Sequence, residues 1–348
     1  MLPILEAVPN FSEGRDLGRV RQLVDAVEAA GADVLDWSAD PDHDRSVITF
    51  VGSPTVVEEA AVASAQVALE VIDLRTHRGV HPRVGALDVL PFIPLSGLDP
   101  QDAIDTAHRV GRRLQGMGLP VYWYAQASDP PDRTLASLRR GGFDAIRDGF
   151  PDGREPDLLP EGWEHPGAHP SAGATIVGAR PLLLAWNVDV EGVPSQVLRD
   201  LTAEIRAVGG GFAGLRALAL ELAQQGRVQV SMNLEDLQQT SPMDVFRAIE
   251  ERVEASGGHV VGTEVIGMLP TELVLGAARE RLELQDVGRE RLLAEALAGH
   301  LDRRVECATR EVLDAVRNAG HSVPDEVRQA VDRLGSELLG DSAQRGTP

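Results

Sequence analysis

Fourteen consecutive residues hold the densest set of side chains able to do chemistry: Arg75, Thr76, His77, Arg78, Gly79, Val80, His81, Pro82, Arg83, Val84, Gly85, Ala86, Leu87 and Asp88. Histidine moves a proton near neutral pH, and arginine grips a carboxylate through two parallel hydrogen bonds. Gly79, Pro82 and Gly85 oppose a regular helix, so the segment is expected as a loop entering a strand. Three roles are open to it. It is a solvated loop whose histidines cap backbone groups, or a metal site on His77, His81 and Asp88, or a proton-transfer site with arginines that anchor an anionic substrate. The third suits the residue types best, because no HExxH pattern and no other tight histidine cluster adds metal ligands.

Three further segments could contribute. In Val8 to Arg15 a strand ends in a polar turn before a helix; Ser12 reads as the helix N-cap, and Asn10 with exposed backbone N–H groups as a substrate contact. Asp40 to Ser46 is an aspartate-rich hairpin turn holding Asp42, His43, Asp44 and Arg45, a composition most often just solvated. The stretch 162–178 carries Trp163, His165 and His169, and it either covers a flat aromatic ligand or serves as a linker.

These segments need elements to hold them, and the hydrophobic pattern predicts two similar halves. In the first, a strand near 3–8 precedes a helix near 15–30, strands near 32–37 and 46–51, a helix near 55–71 and a strand near 87–93. A helix near 99–116 and a strand near 120–125 follow. In the second, strands over 182–188, 212–220, 228–233 and 260–267 enclose helices over 194–207 and 242–255. Both halves read βαββαβ. The expected fold class is therefore α+β: two ferredoxin-like α/β-sandwich subdomains, each with its helices on one sheet face and the other face covered by a further layer. Between them, 129–170 is rich in Pro, Gly and Asp, with one plausible helix over 133–140. Helical spacing over 289–319 and 324–339, separated by Gly320, predicts a C-terminal helical hairpin. The domains are expected at 1–179, 180–285 and 286–348.

Composition narrows the partners. The 348 residues carry 54 acids against 33 bases, a net charge of −21, which opposes binding to nucleic acid or to an anionic membrane. All the bases are arginine, so chemistry needing a lysine amine is excluded: Schiff bases, pyridoxal phosphate, P-loop and kinase lysines. The one cysteine, Cys307, supplies neither an internal disulfide nor a cysteine metal cluster. With Glu6 breaking the N-terminal apolar stretch and no apolar run of about 20 residues, a cytoplasmic location is expected.

Six ordered segments then point to one family: VPNFSEGR (8–15), DRSVITFVG (44–52), HRGVHPRVGALDVLPFIP (77–94), PSAGATIVGAR (170–180), QVSMNL (229–234) and VIGMLP (265–270). Through them the chain, over roughly 1–285, resembles the glutamate formimidoyltransferase family, which also forms the N-terminal part of formimidoyltransferase-cyclodeaminase. The resemblance implies transfer of a formimidoyl group between N-formimidoyl-L-glutamate and N5 of tetrahydrofolate in histidine degradation. It implies a homodimer, the pterin between two subdomains, and no metal. The family's catalytic histidine falls on His81. Its folate-contacting stretch falls on Glu164, His165, Pro166, Gly167, Ala168, His169, Pro170, Ser171, Ala172 and Gly173, with a second patch at Glu204, Ile205 and Arg206. Arg83 or Arg45 would pair with substrate carboxylates. The chain departs from mammalian members at Ser38, where they carry aspartate, which leaves the carboxylate that orients His81 open between Asp36 and Asp40. It departs again at Ala172, where they carry tryptophan, which implies different packing on the folate. Residues after 285 read as helices, so no second activity is expected. Formyl transfer from folate to glutamate, or folate sensing without turnover, are the alternatives.

Overall fold

A computed structural model describes residues 2–41, 43–79, 82–131, 133–222, 227–237, 239–281, 293–319 and 323–339. Two compact units are present, one formed by Met1–Arg180 with Leu301–Pro348 and the other by Pro181–His300.

The first unit opens with β1 (Leu5–Ala7) and β2 (Asn10–Phe11), two pieces of one strand interrupted at Val8 and Pro9; both pair with the same two neighbours. There follow α1 (Leu17–Ala29), β3 (Asp33–Asp40), β4 (Arg45–Gly52), α2 (Pro54–Val71) and β5 (Leu87–Pro94). Across the sheet the order is β3, β4, β1/β2, β5, with antiparallel pairs throughout, which is the ferredoxin-like arrangement expected. After α3 (Pro100–Gly116), β6 (Val121–Ala125) and β7 (Thr175–Ala179) extend it in parallel beyond β5. The helices bury one stripe each. In α1 this is Val20, Leu23, Val24 and Val27; in α2 it is mostly alanine, which lets backbones approach closely.

Local chemistry explains the ends. The Asp16 carboxylate accepts hydrogen bonds from the N–H groups of Gly18 and Arg19, so Asp16, not Ser12, caps α1. Ser53 caps α2, with Pro54 in its first turn. The helix expected over 133–140 shortens to α4 (Leu135–Leu138), because Gly141 and Gly142 both adopt positive φ and turn the chain away. The sequence pattern also missed β7, a strand with a glycine at its fourth position and proline-rich flanks.

The second unit contains β8 (Leu184–Glu191), α5 (Ser195–Ile205), β9 (Leu215–Leu222), β10 (Arg227–Leu234), α6 (Pro242–Ala255) and β11 (His259–Ile266). Its antiparallel order β11, β8, β10, β9 repeats the ferredoxin-like arrangement. Alternation on β8 sends Leu184, Trp186, Val188 and Val190 into the core, where Trp186 stacks on Phe246 of α6 at 5.8 Å. A helix not expected from the pattern, α7 (Thr271–Arg281), lies beside α6. Of the C-terminal helices, α8 (Leu293–Asn318) and α9 (Asp325–Leu339), the second packs Gly335 against Leu313 of the first. Among the described residues no helix is long and apolar enough to cross a membrane.

Candidate active site

In an antiparallel sheet of this order, three connections of the first unit converge at one end: β2 to α1, the β3–β4 turn, and α2 to β5. The last two hold the segments 40–46 and 75–88, and the first holds Ser12 and Gly14. Hydrogen bonds knit them together. Ser12 donates its N–H to Ala86 O at 2.9 Å and its hydroxyl to Gly85 O at 2.7 Å. Gly14 donates its N–H to Asp44 Oδ1 at 3.1 Å. The N-terminal turn is thus a clamp on the histidine loop rather than a helix cap.

At the centre lies Asp88, fully buried. Its Oδ1 accepts the Val84 N–H at 2.8 Å, which pulls the end of the loop back onto the strand. Its Oδ2 accepts from Arg45 Nη1 at 2.7 Å and from Arg139 Nη2. Burial alone would raise this carboxyl, but the two guanidiniums outweigh it and hold the pKa near about 2. Arg45 is lowered to about 10 by its own burial, against the support of Asp88. Its remaining donors, Nε and Nη2, go to Asn10 Oδ1 at 3.2 and 2.7 Å, and Asn10 donates onward to Val8 O at 2.8 Å. The structure therefore brings together Asn10 and Arg45, as a buried network with Asp88 between two arginines.

The other loop anchor is His77. Its Nε2 donates to Asp44 O at 2.7 Å while Nδ1 accepts the Gly79 N–H at 3.1 Å. Both ring nitrogens are spent on backbone, and burial lowers the pKa, so this ring is a neutral strut. That overturns the metal role considered for His77, His81 and Asp88: His77 offers no lone pair outward, and Asp88 is saturated by cations and an N–H. Asp44 is also structural, not a solvated turn residue; it is buried, has φ of 50°, and receives the N–H groups of Gly14 and Arg78. Gly79 is required at the contact, since a Cβ there would meet His43 O at 2.0 Å. His81 lies outside the described residues; the nearest described residues in sequence are Gly79, whose N–H is held by His77 Nδ1, and Pro82. Arg83 is half-buried, with its Nε buried and unpartnered among the described residues; burial lowers its pKa, while Asp144, Asp88 and Asp44 oppose that.

The stretch 164–173 meets this loop directly. Leu74 N–H donates to Ser171 O at 2.8 Å, Ala86 N–H to Ala172 O at 2.8 Å, and Ala174 N–H to Val84 O at 2.9 Å. Gly173, with φ of 71°, fits because a Cβ would stand 1.9 Å from Val84 O. Glu164, His165 and Pro166 are exposed, Gly167, Ala168, Ala172 and Gly173 are buried, and His169, Pro170 and Ser171 lie between. His169 Nδ1 accepts from Ala172 N at 3.0 Å, fixing the ring; burial, then His165 and Arg75, lower its pKa. Glu204, Ile205 and Arg206 belong to the second unit, at the end of α5. There Ile205 is buried, Glu204 pairs with Arg252 at 3.4 Å, and Arg206 Nε is buried without a partner among the described residues. Of the aspartates weighed as partners of His81, Asp36 and Asp40 are exposed on β3, as is Ser38.

Sequence reasoning missed Arg139. The one available signal was its place just past a Thr134-capped turn and before two glycines, which seats an arginine where the chain reverses.

Two ferredoxin-like units, one carrying an arginine-rich loop over a buried carboxylate, together with the likenesses that follow define an enzyme of the one-carbon transferase class. The chain belongs to the formiminotransferase family: residues 4–180 match the model described as formiminotransferase domain, N-terminal subdomain, and residues 185–291 the model described as formiminotransferase domain. It is 37% identical over 292 residues to a glutamate formimidoyltransferase of Thermoplasma acidophilum, covering 81% of this chain and 93% of that one. Against the glutamate formimidoyltransferase of Streptococcus pyogenes serotype M1 it is 33% identical over 302 residues, covering 85% and 98%. A formimidoyltransferase-cyclodeaminase of Rattus norvegicus is 33% identical over 317 residues, with 85% of this chain matched to 57% of the rat protein.

Proposed function

We propose that the protein is a glutamate formimidoyltransferase, moving the formimidoyl group between N-formimidoyl-L-glutamate and N5 of tetrahydrofolate in histidine degradation. The observation that carries this is the near end-to-end likeness to two proteins of that name, matched over 93% and 98% of their lengths. The site chemistry agrees with it. In the catabolic direction the N5 lone pair forms a bond to the formimidoyl carbon, the bond from that carbon to the glutamate nitrogen breaks, and one proton leaves N5 while one arrives at the departing nitrogen. A single histidine can accept the first and deliver the second. We assign that role to His81, which lies in sequence between His77 and Asp88, and assign the substrate contacts to Arg83, Arg45 and Asn10. Tetrahydrofolate is the co-substrate and would contact 164–173 and 204–206; no step calls for a metal.

We further propose a cytoplasmic homodimer acting on small molecules, without nucleic-acid or membrane partners, which a net charge of −21 supports. The test is incubation with tetrahydrofolate and either N-formimidoyl-L-glutamate or N-formyl-L-glutamate, following the folate product by mass. 5-Formimidoyltetrahydrofolate from the first donor is expected. Product from the formyl donor alone, or saturable folate binding without product, would replace this function by formyl transfer or by sensing.

A further inference from the structure

We propose that Arg139, together with Arg83, forms the subsite that takes a carboxylate of the amino-acid substrate, while Arg45 stays committed to the protein interior. The inference rests on the function proposed above for its choice of substrate. It does not rest on that function for the existence of an anion site.

Arg45 spends all three of its nitrogens inside the chain, two on Asn10 and one on Asp88. Arg139 differs. Among the described residues its guanidinium has only Asp88 as a partner, through Nη2, and its Nε is buried with no acceptor. Among the described residues Arg83 Nε is buried without an acceptor as well. The two residues come from adjoining segments: Gly142 closes the turn onto Arg139 O at 2.8 Å, and a Cβ on Gly142 would stand 3.3 Å from Arg83 O.

Charge balance points the same way. One carboxylate, Asp88, faces two guanidiniums, and its second oxygen is already taken by Val84 N–H. Arg83 adds a third cation within the field of Asp88. Its other two acidic neighbours are occupied elsewhere, Asp144 by Arg147 at 3.1 Å and Asp44 by the N–H groups of Gly14 and Arg78. A half-buried cluster with surplus positive charge and two unsatisfied N–H donors is short of an acceptor, and leaving such donors desolvated and unpaired is costly. A carboxylate satisfies both conditions, since guanidinium forks match its geometry.

The experiment compares wild type with Arg139→Gln, Arg139→Lys, Arg83→Gln and Arg45→Gln. Steady-state kinetics is run with N-formimidoyl-L-glutamate, and calorimetric binding with L-glutamate alone as probe. Arg139→Gln and Arg83→Gln are expected to raise KM for the amino-acid substrate by about 10- to 100-fold, the worth of a charged hydrogen bond, with KM for tetrahydrofolate unchanged and L-glutamate binding lost. Arg139→Lys, keeping charge without the fork, should recover part of that affinity. Arg45→Gln should lower thermal stability instead. Unchanged KM in a folded Arg139→Gln protein that still turns over would overturn the subsite and leave the function standing. If Arg139→Gln does not fold, Arg83→Gln decides by the same readouts. No formimidoyl product from wild type, with L-glutamate binding that depends on Arg139, would keep the subsite and remove the function.

Discussion

The two sheets share a strand order and a βαββαβ sequence of elements, yet differ at one end. In the first unit the connection from α2 to β5 occupies 72–86 and that from β2 to α1 occupies 12–16; the counterparts in the second are 256–258 and 192–194. The longer connections carry the histidine loop and the Ser12 clamp, and Val84 N–H ties the first of them to Asp88 at the start of β5. The short ones carry little more than glycine turns. On the second sheet the buried polar contact is modest, Gln229 to Asp189 at 2.8 Å. The candidate site combines these longer loops with strand residues and with Arg139 from the segment beyond β6, over the four-stranded core that both units share; loops suit such a role because they vary without disturbing ladder hydrogen bonds or core packing.

Four changes break or sharpen that contrast. The largest is His81→Ala, expected to lower kcat by about 10²- to 10⁴-fold with folate binding retained; full turnover would take the chemistry out of the long loop. Next is Asp88→Asn, which leaves two buried guanidiniums without a counter-charge and should cost about 3–5 kcal/mol in urea unfolding. The matching change in the second sheet, Asp189→Asn, should cost about 1 kcal/mol, and equal costs would erase the difference between the sheets.

Smaller still is a pair of glycines. Gly79→Ala forces a Cβ into His43 O and should destabilise by about 1–3 kcal/mol, whereas Gly262→Ala, with open space around its Cβ on β11, should stay within about 0.5 kcal/mol. The smallest is a pH response. Burial holds His77 below its ordinary 6.5, so the unfolded chain takes up the proton first; the stabilising effect is whole above pH 6.5 and fades as pH falls. Asp88, depressed to about 2 from 3.8, adds a second loss between about pH 4 and 2. Hydrogen exchange should therefore quicken in 72–88 before it does in β8 to β11, and His77→Gln should remove the first step only.

Both βαββαβ runs could be read from the sequence, because alternation and helical spacing are local signals backed by burial on one face. Where glycine or proline interrupts the spacing the signal failed: β7 carries Gly178 amid buried neighbours, and α4 stops at a glycine pair. The site was half legible. His77, Arg45, Asn10 and Asp88 were all singled out, but as independent candidates, and Ser12 was given the capping role that Asp16 holds.

Residue types and their local spacing were enough to determine a lysine-free acidic α+β protein, the position of the polar loop between α2 and β5, and membership of a family through six ordered motifs. Only tertiary structure decided which of those polar groups face inward. Asp88 lies 43 residues from Arg45 and 51 from Arg139 along the chain, and its hold on both arises from sheet register and a turn beyond β6. Charge pairing over such separations has no local signature. It follows from which backbone segments the core brings together.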